Sequence, residues 1–462
     1  MQISTTVPAT LPTAPGKWPL AGHIPLLLRD PLAFFRSLPA HGDLVRIQVG
    51  PARAVVVCDP ELTWQVLSHD RLFDKGGLFI ERAREVFGDG LGTCPHALHR
   101  RQRRLVQPAF HPGRLPGYAR TMTDLIDETT DSWRDGQELD VLAEMTAITS
   151  ATTAATMFSE ALPPTIRRRA LDDLTTVLSG IVEQMLLPPP LGKLPTPRLR
   201  RYRRARARLR GTLQEAIATR RADHTDRADH GDLLSALLSA RDGELDRHGL
   251  SDSEILDQAV SFFFVGTDTT ASTLAWAFHL LAEHPHLRER LQAEVDEALA
   301  GRPVTHADLP RLEFTRRIIT ETLRLWPAGW MFTRMVSTDT HLGDHVVPAG
   351  TTIVYSAYLL HHHPGLYDDP ERFDPDRWLP DRAGTIARHA YIPFGGGARK
   401  CIGDTFAIAE ATLALAAIAA RWQLQPVLDQ QVRPAVAAVI RPKGLRMRAV
   451  ARSSSRTEGC AV

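Results

Sequence analysis

The chain has 462 residues and carries 55 Lys and Arg against 53 Asp and Glu, a formal charge of +2. That balance removes any global electrostatic case for nucleic acid. Four cysteines (Cys58, Cys94, Cys401, Cys460) without a repeated spacing exclude a disulfide framework and suit a reducing cytoplasm, and no apolar run reaches the ~18 residues of a membrane anchor.

Residues 1–19 are rich in Pro and Thr, lack the pattern of a signal peptide, and are expected to form a mobile lead-in. "DLVRIQVGPARAVVVCDP" (43–60) holds two β-branched runs around Gly50-Pro51, a hairpin signal. Helical 3–4 spacing then dominates, in "PELTWQVLSH" and around 119–160, 166–187, 199–221 and 231–241. "LPPPLGKLPTP" (187–197) and "RADHTDRADHGD" (221–232) read as loops between helices of one domain. Extended pieces return at 346–354 and near 434–450, and 452–462 reads as a disordered tail. The class is mainly α with small β-sheets, and one domain is expected over 20–451.

One helix stands apart. "SDSE" (251–254) offers a capping box, and no proline follows until Pro285. A helix over 252–283 would be about 48 Å long and, apolar nearly all round, buried through the middle of the molecule. Its centre, "VGTDTT" (265–270), sets a glycine, an acid and three hydroxyls in a buried interior. Either the helix tolerates a polar kink there or it opens beside a ligand.

"FGGGARKCIGD" (394–404) places Cys401 among glycines, just before the strong helical pattern of 404–422. Glycines allow close backbone approach, and a helix N-terminus favours a negative sulfur. A packed structural thiol, a nucleophile with a His base and an axial thiolate to haem iron all remain open; zinc is poorly supported without a second cysteine at ligand spacing.

Phe394, Gly397, Arg399, Cys401 and Gly403 fall at the spacings of F-x-x-G-x-R-x-C-x-G. This resembles the haem-binding loop of the cytochromes P-450, the haem-thiolate monooxygenases. Three further stretches occur in the expected order, so the resemblance spans essentially the whole chain. "VGTDTT" resembles the oxygen-activation stretch, with Asp268 as the acid and Thr269 as the alcohol; Val265 stands where the family has Ala or Gly. "ETLR" resembles E-x-x-R, giving Glu321 and Arg324, and "DPERFDPDRW" (369–378) supplies Arg372. The resemblance implies a structural ion network among these three. "LHRRQRRLVQPAF" (98–110) resembles the H-x-x-x-R helix. His99 and Arg103 are thereby expected at the haem propionates, with Arg334 and Arg399. The implied fold is a triangular helical domain holding haem b, with a smaller β-rich N-terminal region.

The implied chemistry is insertion of one oxygen atom from O2 into a C–H bond. Asp268 would relay protons inward and Thr269 would hold the hydrogen-bond network at the oxygen site. No flavin or Fe–S motif is present, so electrons from NAD(P)H are expected through a separate ferredoxin or flavodoxin and its reductase. Positive charge at 99–104 and 398–400 offers such an acidic partner a docking face. A monomer with no nucleic-acid partner is expected. The eight arginines of 198–210 read as a solvated outer helix face, and "HHHP" (361–364) as packing.

Segments matching the family's substrate contacts contain Phe79, Phe87, Met185, Leu186, Phe262, Phe263, Val265, Trp330, Met331, Phe332 and Val439. Few charges interrupt them, which predicts a compact apolar substrate. The chain is similar in overall style to actinomycete-type members that oxidise sesquiterpenes, the pentalenene-oxidising type among them. A fatty acid or polyketide substrate is the alternative. From other classes, a peroxide-using enzyme and a non-catalytic haem sensor or carrier stay open.

Overall fold

The two β-branched runs pair as antiparallel strands, Leu44–Val49 with Ala52–Val57, and Gly50 turns between them at φ +58°. They begin a five-stranded sheet in the order Leu44–Val49, Ala52–Val57, Thr352–Ser356, Met331–Val336, Phe73–Asp74. The pairing of Val55 with Ile353 is parallel; the other pairings are antiparallel. The β-rich region is therefore not N-terminal alone. Two of its strands come from 331–356, because Ile353 and Val336 bury with Val55, Phe73 and Phe35 in one hydrophobic cluster.

The computed structural model describes residues 11–159, 164–186, 196–222, 230–241, 249–384, 386–387, 389–428 and 430–452. Most of the two expected loops, residues 187–195 and 223–229, lies outside these, as do 1–10 and the tail 453–462. The described part of the lead-in is not detached. Leu11 and Ala14 are buried, Arg46 N–H donates to Pro12 O (2.8 Å), and Ala14 N–H donates to Arg46 O (2.9 Å). Two apolar side chains and two backbone bonds fix residues 11–14 along the strand Leu44–Val49.

The helices begin where short polar side chains can satisfy free N–H groups. Asp59, Asp140 and Asp232 cap Pro60–Ser68, Val141–Phe158 and Leu233–Ser239. Ser251 and Glu254 form the expected capping box on the central helix, Asp252–Glu283, which has 32 residues. Val141–Phe158, Pro197–Ala222, Glu313–Leu325 and Asp404–Arg421 pack around it. Its polar centre stays α-helical throughout. Thr267, Thr269, Ser272 and Thr273 donate to the carbonyls of Phe263, Val265, Asp268 and Thr269, four residues back. These four hydroxyls are satisfied within their own helix, while Thr270 turns to Glu410.

After Asp404–Arg421 the chain forms Trp422–Pro426 and Arg446–Ala451, a sheet completed by Glu138–Asp140. Between them lies a hairpin, Arg433–Val436 with Ile440–Lys443. Among the described residues no helix is long and apolar enough to cross a membrane.

Candidate active site

The cysteine loop is held from both ends. Cys401 N–H donates to Phe394 O at 2.9 Å, and the helix Asp404–Arg421 starts three residues later. The glycines differ in purpose. Gly397 has φ +63°, and a Cβ there would lie 2.0 Å from Leu67 O. It serves the approach of Pro60–Ser68 and does not line the cavity beside Cys401. Gly395, at φ +68°, does line it, and a Cβ there would meet open space. Gly403 and Phe394 also face this cavity.

The cavity measures about 410 Å³. Cys401 and Ile402 form part of its wall, and the central helix contributes Phe262, Val265, Asp268 and Thr269. Val265 is 49% exposed despite lying mid-helix, because it faces this space. Phe79, Phe87, Phe332 and Val439 line the cavity as expected. Trp330 and Met331 do not. Trp330 sets its ring against Phe35 (5.1 Å) and donates its indole N–H to Ala437 O, while Met331 packs against the sheet cluster. Phe263 is fully buried against Phe158, and its neighbour Phe264 reaches the cavity instead, beside Phe87. Met185 and Leu186 lie on Pro164–Leu186, but their side chains are outside the described residues.

His99, Arg103 and Arg399 line the cavity. Burial first, then the Arg399 and Arg103 charges, lower the His99 pKa to about 3, so the ring is neutral. Arg103 donates to Lys400 O. The Arg399 guanidinium is engaged with Asp74 (2.8 Å), Asp70 (3.3 Å) and Cys94 O (2.8 Å). Arg334 is 2% exposed, its Nε has no partner, and its guanidinium carbon lies 5.4 Å from the Tyr355 ring centre. Lys75, which no sequence motif singled out, also lines the cavity. Its ammonium sits 5.8 Å from the Phe332 ring centre, and burial together with Arg334 and Arg399 holds its pKa well below the ordinary value. Lys75, half-buried, faces the cavity, while Arg334 is sealed outside the cavity wall and adds positive charge beside it, an arrangement an anion would offset.

Burial pushes the Cys401 thiol up, and the Gly403 N–H and the Arg103 and Lys400 charges pull it down. A thiolate here thus calls for a cation on the cavity side. A thiol facing an apolar cavity, open space over Gly395, Lys75 and Arg103 on the cavity wall and the Arg334 charge behind it together fit a haem with two propionates.

Asp268 is 8% exposed and pairs with Arg441 of the C-terminal hairpin. Burial raises its pKa and Arg441 opposes that rise. Thr269 also faces the cavity, its hydroxyl bonded to Val265 O at 2.8 Å. Glu410, on Asp404–Arg421, is fully buried, and burial pushes its pKa to about 8 against a weaker pull from the Thr270 hydroxyl. Its place in the alanine-rich run gave no signal, since one acid in an apolar helix is the only trace.

Glu321 and Arg324 are both 0% exposed and bonded in bidentate fashion at 2.8 and 3.0 Å. The third arginine is Arg377, not Arg372. Arg377 Nε approaches Glu321 Oε1 (3.4 Å) and the Trp378 indole donates to Oε2 (2.8 Å). Arg372 is exposed and offers only its carbonyl, to Arg324. The short 3-10 turn Pro375–Trp378 is what faces Glu321. His361 is buried, contacting Arg324 O and accepting from Ile392 N–H, a packing role as expected.

A second cleft, about 370 Å³, is lined by Pro197, Arg200, Arg201, Arg204 and Arg208. It lies on the outer face of Pro197–Ala222, whose Leu199, Tyr202, Ala205 and Leu209 are buried. The arginine run is a solvated helix face.

The Cytochrome P450 family model matches residues 12–447. Pentalenene oxygenase of Streptomyces avermitilis is 48% identical over 442 residues, 96% of this chain and 97% of that protein. Cyclooctat-9-en-7-ol 5-monooxygenase of Streptomyces melanosporofaciens is 49% identical over 423 residues, 91% of each chain. Among solved structures, the cytochrome P450DA heme domain superposes with a TM-score of 0.85 at 28% identity, covering 96% of this chain and 98% of that one.

Proposed function

The chain belongs to the cytochrome P450 family and is a monooxygenase, and on that premise we propose that it oxidises a C–H bond of a cyclic terpenoid. The observation that carries the reading is one apolar cavity faced by both Cys401 and the Asp268–Thr269 pair. Phe79, Phe87, Phe262 and Phe332 give it an aromatic lining suited to a compact hydrocarbon skeleton. Relatives named for pentalenene and for cyclooctat-9-en-7-ol support the substrate class.

Cys401 would hold the haem iron through its sulfur, and Arg334 and Lys75, with His99 and Arg103, would offset the propionate charges. When bound, haem would supply the oxygen activation, which a thiolate ligand favours. One oxygen atom enters the substrate, and the other leaves as water with two electrons and two protons. Asp268 passes protons toward the cavity, and the Thr269 hydroxyl orders hydrogen bonds at the oxygen site. The aromatic wall excludes bulk water and presents one carbon.

Electrons come from NAD(P)H through a ferredoxin or flavodoxin and its reductase. Arg100 is exposed and suits an acidic partner, whereas Arg101 is already paired with Glu254 and the exposed Lys400 with Asp404. The protein acts as a cytoplasmic monomer.

The test is product analysis after incubating the haem-loaded protein with ferredoxin, reductase, NADPH, O2 and a panel of cyclic terpenes. A hydroxylated terpene supports the proposal. Turnover confined to fatty acids or polyketides overturns the substrate class, and turnover with peroxide alone overturns the electron route.

A further inference from the structure

The C-terminal hairpin touches both the substrate space and the acid. Its turn puts Ala438 and Val439 into the cavity wall. Its second strand sends the Arg441 guanidinium to the Asp268 carboxylate. Between them Ile440 is fully buried, and its carbonyl accepts from Trp276 Nε1 at 3.1 Å. Trp276 stands eight residues after Asp268, about two turns along the same helix face. The hairpin is thus tied to the central helix at two points. At the turn, Trp330 Nε1 donates to Ala437 O at 2.7 Å.

Arg441 is the only charged group acting on Asp268 among the described residues. Helix Val141–Phe158 brings threonines to this stretch, with the Thr149 hydroxyl bonded to Thr267 O. Asp404–Arg421 brings Glu410 toward Thr270, not toward Asp268. A buried carboxyl that loses its one counter-charge takes up a proton. The state of Asp268 therefore hangs on a residue 173 positions away in sequence, carried by a strand that contacts whatever fills the cavity.

We propose that Arg441 is the positioning residue for Asp268, and that the hairpin couples it to the cavity, so that a substrate resting on Val439 fixes the guanidinium that holds the acid. The proposal rests on the reading of Asp268 as a proton relay. It assigns the hairpin two linked effects, choice of substrate and completeness of electron use. A substrate that leaves Val439 untouched is bound but poorly coupled.

The test uses the haem-loaded protein and two readouts. Infrared difference spectra with selective Asp labelling report the Asp268 carboxyl directly. At pH 7, Arg441→Gln should show a neutral carboxylic acid band that wild type and Arg441→Lys lack, and Asp268→Asn in the same background should remove it. Substrate addition should shift the wild-type carboxylate band, and Val439→Ala should lose that shift. The second readout is product formed per NADPH, expected to fall several-fold in Arg441→Gln and to recover largely in Arg441→Lys. Arg441→Met, which keeps the packed stem, replaces the Gln variant if that variant fails to retain haem. No acid band in Arg441→Gln or Arg441→Met overturns the positioning role. A substrate-induced shift that survives in Val439→Ala overturns the hairpin as the route. A clear acid band with unchanged coupling upholds Arg441 as the holder of Asp268 and overturns the relay reading instead.

Discussion

Arg377 Nε lies 3.4 Å from Glu321 Oε1, and both side chains are buried, at 7% and 0% exposure. With Arg324, the Trp378 indole and the Asp374 N–H it surrounds one carboxylate with donors. Tyr391, in the segment leading to that loop, donates its hydroxyl to Thr320 O, and Ile392 N–H donates to His361. The network therefore ties Glu313–Leu325 to the approach of the cysteine loop.

Removing one member of a buried charge set strands the others. Arg377→Met should lower unfolding free energy by about 3 kcal/mol. Arg372→Ala, at an exposed side chain, should stay within about 0.5 kcal/mol. Urea unfolding of the haem-loaded variants measures both, and equal effects would return the role to Arg372.

Cys401→Ser should abolish the red-shifted ferrous–CO band of a thiolate-ligated haem. Persistence of that band in the purified variant would remove Cys401 as the ligand. Cys58 and Cys94 are buried and do not line the cavity, and Ser at either should leave the band unchanged.

Thr269→Ala should keep haem content and the substrate-induced spin shift, because the lost hydroxyl bond is internal to its helix. Electrons should divert to peroxide, with the peroxide-to-product ratio rising about tenfold or more, in the range of general acid–base contributions. A ratio equal to wild type would falsify the role given to Thr269.

Arg334→Met and Lys75→Met should each speed haem transfer to apomyoglobin. One charge-assisted bond is worth about 2 kcal/mol, or roughly 30-fold. Arg399→Met should act differently, since its guanidinium is held by Asp70, Asp74 and Cys94 O. Its loss should lower protein stability more than haem retention. The ratio of transfer rate to unfolding midpoint across the three variants separates the two cases.

Glu410 carries a sign that unfolding can read. Its folded pKa of about 8 lies above the ordinary carboxyl value of 4.5, so the folded state binds the extra proton between these values. Stability should fall as pH rises through that window and level off above it. Glu410→Gln should flatten this slope and be the more stable protein at pH 8.5, by at least about 2 kcal/mol. A Gln variant with the wild-type slope would place the titration elsewhere.

Local chemistry made much of this protein legible. The capping box at Ser251, the hairpin around Gly50 and the glycine-flanked Cys401 each depend on residues a few positions apart. The acid–alcohol pair stood out as polar residues in an apolar helix; the structure puts both on the cavity wall of a continuous helix, not at an opening. Where the reading slipped, the cause was choice among near neighbours. Arg372 and Arg377 share one arginine-bearing segment, and only the turn at Pro375–Trp378 selects the second. Trp330 and Phe332 are two apart, yet one packs on Phe35 and the other lines the cavity.

The sequence alone determined the class: a thiolate loop, a long buried helix with an acid and an alcohol, and an E-x-x-R helix, all built from short-range spacing. Tertiary structure decided which charges meet. Arg441 reaches Asp268 across 173 residues, the Arg334 charge acts on Lys75 from outside the cavity wall, and among the described residues no counter-charge acts on the sealed Glu410. Periodicity tells which face of an element is buried, because water sorts apolar from polar. It does not tell which buried group stands opposite, because that depends on how distant elements cross, and the energy of a buried charge is set by that partner.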